Sequence, residues 1–219
     1  PNVNLLWFNP ASAAVDPAEA LAVELASREV LTVLQGLSGA MQGAGLATST
    51  AFAAASRGAG DAIIAESFGI PPNAFDLTSA ATIRAIAENA FTRGGLAGAD
   101  ITRLNATIEP LVAAIAEINT TIAALDALDT ATAKAHAALA SFLASEARVA
   151  TEVGNPDIIS LSDPASVAAA VAQIATLIEA AANGASGVID WDNVALTGRA
   201  QWDYVVDARI GDATLSVAG

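Results

Sequence analysis

Residues 108–125 read Ile108-Glu109-Pro110-Leu111-Val112-Ala113-Ala114-Ile115-Ala116-Glu117-Ile118-Asn119-Thr120-Thr121-Ile122-Ala123-Ala124-Leu125. Ile108, Leu111, Ile115, Ile118, Ile122 and Leu125 alternate steps of three and four, the spacing that keeps aliphatic side chains on one side of an α-helix. The seam lasts about two and a half heptads and predicts a helix packed along its neighbours in coiled-coil fashion. Pro110 is expected in the first turn of that helix, where a missing N–H costs little. Asp100 to Asn105 reads as a separate short helical turn before it.

The same logic extends to both sides. Asp16-Pro17-Ala18-Glu19 is a helix start: Asp16 caps, Pro17 suits the first helical position and Glu19 completes a capping-box-like pair. Val23, Ala26, Val30, Val33, Leu34, Leu37 and Met41 follow at helical spacing as far as Gly43-Ala44-Gly45. A second helix is expected from Thr50 to Phe68, with Phe52, Ile63, Ile64 and Phe68 inward, weakened by Gly58 and Gly60. A third begins around Asp76-Leu77-Thr78-Ser79, carries Ile83, Ile86, Ala90 and Phe91, and stops at Gly94-Gly95. After the seam, Asp129 or Thr130 starts a helix to about Val153, with Leu139, Phe142, Leu143 and Val149 as its stripe, broken by Gly154-Asn155-Pro156. Ser162 or Asp163 then caps a sixth helix that ends at Asn183-Gly184. The expected fold is mainly α, an antiparallel bundle of about six Ala-rich helices over residues 1–187.

Residues 188–219 differ. Three of the four Trp and Tyr residues, Trp191, Trp202 and Tyr204, lie there. Tyr204 to Ile210 and Ala213 to Val217 read as two strands across Gly211-Asp212, a dipeptide suited to a primed hairpin turn. A lone hairpin is marginal in water, so this tail is expected to dock on the bundle, pair with a partner, or open a following β-domain.

Composition agrees and excludes much. The chain has 219 residues, enough to bury about 70% of its extended surface without a staple. Alanine accounts for 56 of them; it loses no side-chain entropy in a helix, and its small side chain lets helix axes approach closely. With no Cys, disulfide scaffolds, thiolate zinc sites, iron–sulfur clusters and thiol catalysis drop out. One His, His136, leaves no second imidazole for a His-rich metal site. A net charge of −14 repels phosphate backbones, so nucleic acid is not an expected partner. The longest uncharged run, Val30 to Ser56, is interrupted by Gln35, Gln42 and four Gly, so no membrane span is expected.

Catalytic signatures are equally sparse. There is no G-x-S-x-G, H-E-x-x-H or P-loop. Gly43-x-Gly45 and Gly58-x-Gly60 lack a preceding strand and read as packing or capping glycines. His136 would have to serve Ser141 or Ser145 as a base, with nothing local to orient the pair; it reads as a structural or exposed residue. Asp126 and Asp129 sit three apart at a helix junction, where the second is better explained as a cap. No enzyme is expected. The tail carries the metal candidates: Asp190, Asp192, Asp203, Asp207 and Asp212, without any Glu, offer the hard oxygens that calcium takes. Asp190-Trp191-Asp192-Asn193 alternates as a calcium loop does, but it lacks the glycine and distal Glu of an EF-hand. Turn capping and solvated strand edges account for the same five residues. An apolar ligand held between helices is a third use of such a bundle, disfavoured by tight Ala packing.

Certain segments resemble a known family. Leu5-Leu6-Trp7-Phe8-Asn9-Pro10-Ala11 is followed by Asp16-Pro17-Ala18 and by Val30-Leu31-Thr32-Val33-Leu34; later come Phe68-Gly69-Ile70-Pro71 and Ile159-Ser160-Leu161-Ser162-Asp163-Pro164-Ala165. Over roughly residues 1–185 this is similar to the Ala-rich helical regions of very large secreted bacterial proteins that carry cadherin-like, VCBS-type or RTX calcium-binding repeats. Gly211-Asp212-Ala213-Thr214-Leu215 loosely resembles an RTX turn but departs from the nonapeptide repeat. The resemblance implies a non-enzymatic structural or adhesion module outside the cell, joined to other domains of the same polypeptide. The alternative is a self-assembling subunit of a filament, surface layer or phage particle, with identical subunits as partners through the C-terminal hairpin.

Overall fold

The computed structural model describes residues 16–67, 75–125, 130–156, 189–198, 204–210 and 213–218. The described part is mainly helical, with α1 (Pro17–Gly43), α2 (Thr48–Ser67), α3 (Ala80–Gly94), α4 (Ala99–Ala123) and α5 (Thr130–Val153). The expected sixth helix lies outside the described residues. At the C-terminus the described backbone runs as three strands, β1 (Ile189–Gly198), β2 (Tyr204–Ile210) and β3 (Ala213–Ala218), antiparallel in the order β1-β2-β3.

The helix ends follow local chemistry. Asp16 Oδ1 accepts the Ala18 amide at 2.8 Å and Pro17 occupies the first turn, so the predicted start of α1 stands. Asp76 does not open α3. Its Oδ1 accepts the amide and hydroxyl of Thr78 in a turn, and Ser79 becomes the residue before the first helical one. Gly95 closes α3 in the left-handed region at φ 68, a conformation that a Cβ disfavours.

The seam residues of α4 behave as their spacing requires. Leu111, Ile115, Ile118 and Ile122 are fully buried and Ile108 nearly so, each worth about 1.5–3 kcal/mol in apolar burial. The expected break before residue 109 is absent: α4 is one helix from Ala99, with Pro110 in its interior. An interior proline costs about 3 kcal/mol. Burial of Leu104, Thr107 and Ile108 before it, continuous with Leu111 and Val112 after it, offsets that cost. The Thr107 hydroxyl, one turn earlier, bonds the Leu104 carbonyl at 3.0 Å.

α1 and α5 make the closest approach. A Cβ on Gly39 would run into the carbonyl of Ala144, and one on Gly43 into the carbonyl of Arg148. Gly36 in turn lies against Leu143 and Ile115. The facing residue numbers rise together, so α5 runs parallel to α1. α4 runs antiparallel to it, because Gly36 meets Ile115 while Glu29 meets Asn119.

α2 reverses the expected facing. Phe52 is 42% exposed, Ile64 57%, and Ile63 is also exposed; Phe68 lies outside the described residues. Ala51, Ala54, Ala55 and Ala62 are inside instead, and Gly58 sits against the backbone of Ala90 on α3. At that separation there is no room for a Phe or Ile, so the small residues take the interior and the large ones turn outward. Val30 of α1 and Val149 of α5, both expected inward, are likewise more than a third exposed.

Candidate functional site

The five tail aspartates are not brought to a described site. Asp190, Asp192 and Asp207 fall on β1 and β2, where only the backbone is described, and Asp203 and Asp212 lie outside the described residues, as do Asp126 and Asp129. Among the described residues, no three His, Cys, Asp or Glu side chains gather as a metal site, and no helix is long and apolar enough to cross a membrane.

His136 is buried at 2% exposure in α5, and neither ring nitrogen has a hydrogen-bond partner. Ser141 and Ser145 are both exposed and neither bonds it, so the pairing that a serine nucleophile would need does not form. Burial, and then the Arg28 guanidinium across the α1–α5 seam, holds the imidazole near pKa 4 and therefore neutral at pH 7. Arg28 is itself engaged by Glu24 at 2.9 Å, one helical turn away. Ten residues along α5, burial pushes Glu146 up to about 7. These two groups lie on one helix but have different neighbours, and no substrate cleft joins them in the described structure.

An open depression of ≈ 420 Å³ lies between α3 and α4, lined by Phe91, Leu96 and Ile101 with Glu88, Thr92 and Asn105. Its polar members are exposed, so water competes at each position where a ligand would be oriented.

Three of the buried polar side chains, Thr107, Thr151 and Asn119, tie elements together. Thr107 of α4 and Thr151 of α5 share a hydroxyl–hydroxyl bond of 3.1 Å. Asn119 of α4, fully buried, donates through Nδ2 to the carbonyl of Leu77 at 2.8 Å and to that of Glu29 at 3.3 Å, binding three elements at one point. Its Oδ1 is buried without a partner. The Glu29 carboxyl close by is raised, first by burial and then by the charge of Asp76, while Asp76 is lowered by its bonds to Thr78. This junction joins residues far apart in the chain and has no counterpart among the sequence-based expectations. The local signal is slight: Asn119 follows the seam residue Ile118 but sits among other polar residues, Glu117, Thr120 and Thr121.

Compared with protein-family models, with curated proteins and with solved structures, the chain matches none.

Proposed function

We propose that the chain is a non-enzymatic structural or adhesion module of a large secreted or surface-attached bacterial protein, joined to other domains of the same polypeptide. The observation that carries this reading is what the buried polar groups and glycines are engaged in. Asn119 and the Thr107–Thr151 pair join helices, and Gly39 and Gly43 bring α5 onto α1 at backbone distance. Such interlocking makes a stiff block suited to transmitting position or load between neighbours. The family resemblance over residues 1–185 and the net charge of −14 support the extracellular setting. In this reading the tail aspartates Asp190, Asp192, Asp203, Asp207 and Asp212 take calcium where the chain passes into a β-domain.

The exposed Phe52 and Ile64 on α2 favour a second reading. There the chain is a self-assembling subunit, pairing with identical copies through a C-terminal hairpin of β2 and β3 as well as through apolar surface.

Molar mass by light scattering on a sizing column, once in EDTA and once in millimolar calcium, decides between them. A monomer in both, or one merely compacted by calcium, supports the module. Growth into defined oligomers overturns it in favour of the subunit.

A further inference from the structure

We propose that His136 latches an acid-released arm: protonation of its imidazole inside the α1–α5 seam frees the first half of α1, Pro17–Leu31, from a bundle that otherwise stays closed. The device adds a conformational response to the proposed role and does not depend on it.

α1 is packed unevenly. Every buried residue of the helix lies from Thr32 onward, the half in which Gly39 and Gly43 meet the backbone of α5. From Pro17 to Leu31 none is buried. The ties of this half to the bundle are thin: Leu25, partly buried against the core, a long 3.3 Å bond from Asn119 to the Glu29 carbonyl, and Arg28 at the seam. A segment held by so few contacts opens at a lower free energy than the whole fold.

The helix register puts His136 where the two halves meet. Gly39 lies against Ala144 and Gly43 against Arg148, so eight residues earlier on each helix Leu31 comes level with His136. Arg28 and Thr32 flank that level, on the same stripe of α1 as Gly39 and Gly43. The imidazole is enclosed and no acceptor reaches either nitrogen, and Arg28 Nε is likewise buried without a partner. As an imidazolium the ring would hold two N–H donors and a full charge with nothing to bond, beside a second cation. Near this level α1 carries Arg28, Glu24 and Glu29, α4 carries Glu117, the turn before α3 carries Asp76, and α5 itself carries Lys134. Among the described side chains Arg28 is the charged group that acts on the imidazole, and it opposes protonation. The Glu24 carboxylate, which could offset it, is engaged by Arg28.

Opening the first half of α1 admits water to the ring and removes Arg28 from it. The released state then has an ordinary imidazole, near 6.5, and the closed state one held near 4. The released state binds the proton more readily, so release is favoured progressively as pH falls from 6.5 towards 4. At about pH 5 the release constant is about 30-fold higher than at about pH 7.5. The obstacles at Gly39 and Gly43 are backbone carbonyls, which do not titrate, so the second half of α1 stays docked.

The test is amide hydrogen exchange of the full chain, read residue by residue as protection factors at about pH 7.5 and about pH 5. Amides 21–31 are expected to lose about 30-fold in protection between the two, while those of 36–43 keep theirs. His136→Leu, which fills the same enclosed space without a titrating group, should abolish the loss. Glu146→Gln should leave it unchanged, because Glu146 stays in the closed part. Arg28→Met, which keeps the aliphatic stem and removes the charge, should shrink it. An equal loss over 21–31 and 36–43 would overturn the device, since opening would then be global. So would a loss confined to α5, no loss at all, or a loss that persists in His136→Leu.

Discussion

Gly39 of α1 lies so close to Ala144 of α5 that the carbonyl of Ala144 fills the place a Cβ would take. This contact sets the spacing of the parallel helix pair on which the bundle is built.

Gly39→Ala should therefore cost about 3 kcal/mol or more, because the obstacle is backbone and cannot rotate away. Gly60→Ala, in α2 with nothing near its would-be Cβ, should stabilise by about 0.5–1 kcal/mol through helix propensity. Urea unfolding of the two variants side by side checks both signs. Equal effects would refute the backbone contact between α1 and α5 at Gly39.

Thr107 and Thr151 form one buried hydroxyl pair. Thr107→Val should cost about 1–2 kcal/mol, since the buried Thr151 hydroxyl loses its partner, and Thr151→Val less, since the Thr107 hydroxyl keeps its bond to the Leu104 carbonyl. The double Val variant should cost less than the sum of the two. Additive costs in a double-mutant cycle would show that the pair does not interact.

His136 and Glu146 should make stability depend on pH in opposite directions. The imidazole is depressed from 6.5 to about 4 in the fold. Its neutral form is thus matched to the folded state above pH 6.5, and stability is lost as pH falls from 6.5 towards 4, by on the order of 3 kcal/mol. Glu146 is raised from 4.5 to about 7. The folded state therefore holds its proton more tightly, and stability is lost as pH rises from 4.5 through 7. Between pH 4.5 and 6.5 the two slopes offset in the wild type. Glu146→Gln should expose a stability that rises with pH across that window, and His136→Leu one that falls. Denaturant midpoints of both variants at pH 4.5, 5.5 and 6.5, chosen as roughly the ends and middle of that window, test this. Parallel slopes in the two variants would refute the assignment.

Phe52 and Ile64 face outward from α2. Changing either to Gln should move stability by no more than about 0.5 kcal/mol. An inward-facing Phe, as its spacing alone implies, would cost several times more. Chemical denaturation of Phe52→Gln distinguishes the two placements.

The α4 seam was legible because Ile108, Leu111, Ile115, Ile118 and Ile122 are large, aliphatic and periodic, and no competing face of that helix offers comparable burial. The start of α1 was legible because Asp16 and Pro17 act within one turn of chain. The facing of α2 was not. Periodicity assigns the inside to the largest apolar residues, whereas the backbone contact of Gly58 with Ala90 excludes them. The junction at Asn119 joins residues 90 and 42 positions away, which no local pattern reports.

By itself, then, the sequence determined the helical class, the seam and several helix ends, since these depend on side-chain size, periodicity and capping groups within a few residues of one another. Only the tertiary structure decided which side of α2 is buried, that α4 continues through Pro110, and that His136 is enclosed and neutral. Each of these depends on the separation between helix axes, and that separation is set jointly by glycines and alanines on different helices, whose small size says nothing until their neighbours are in place.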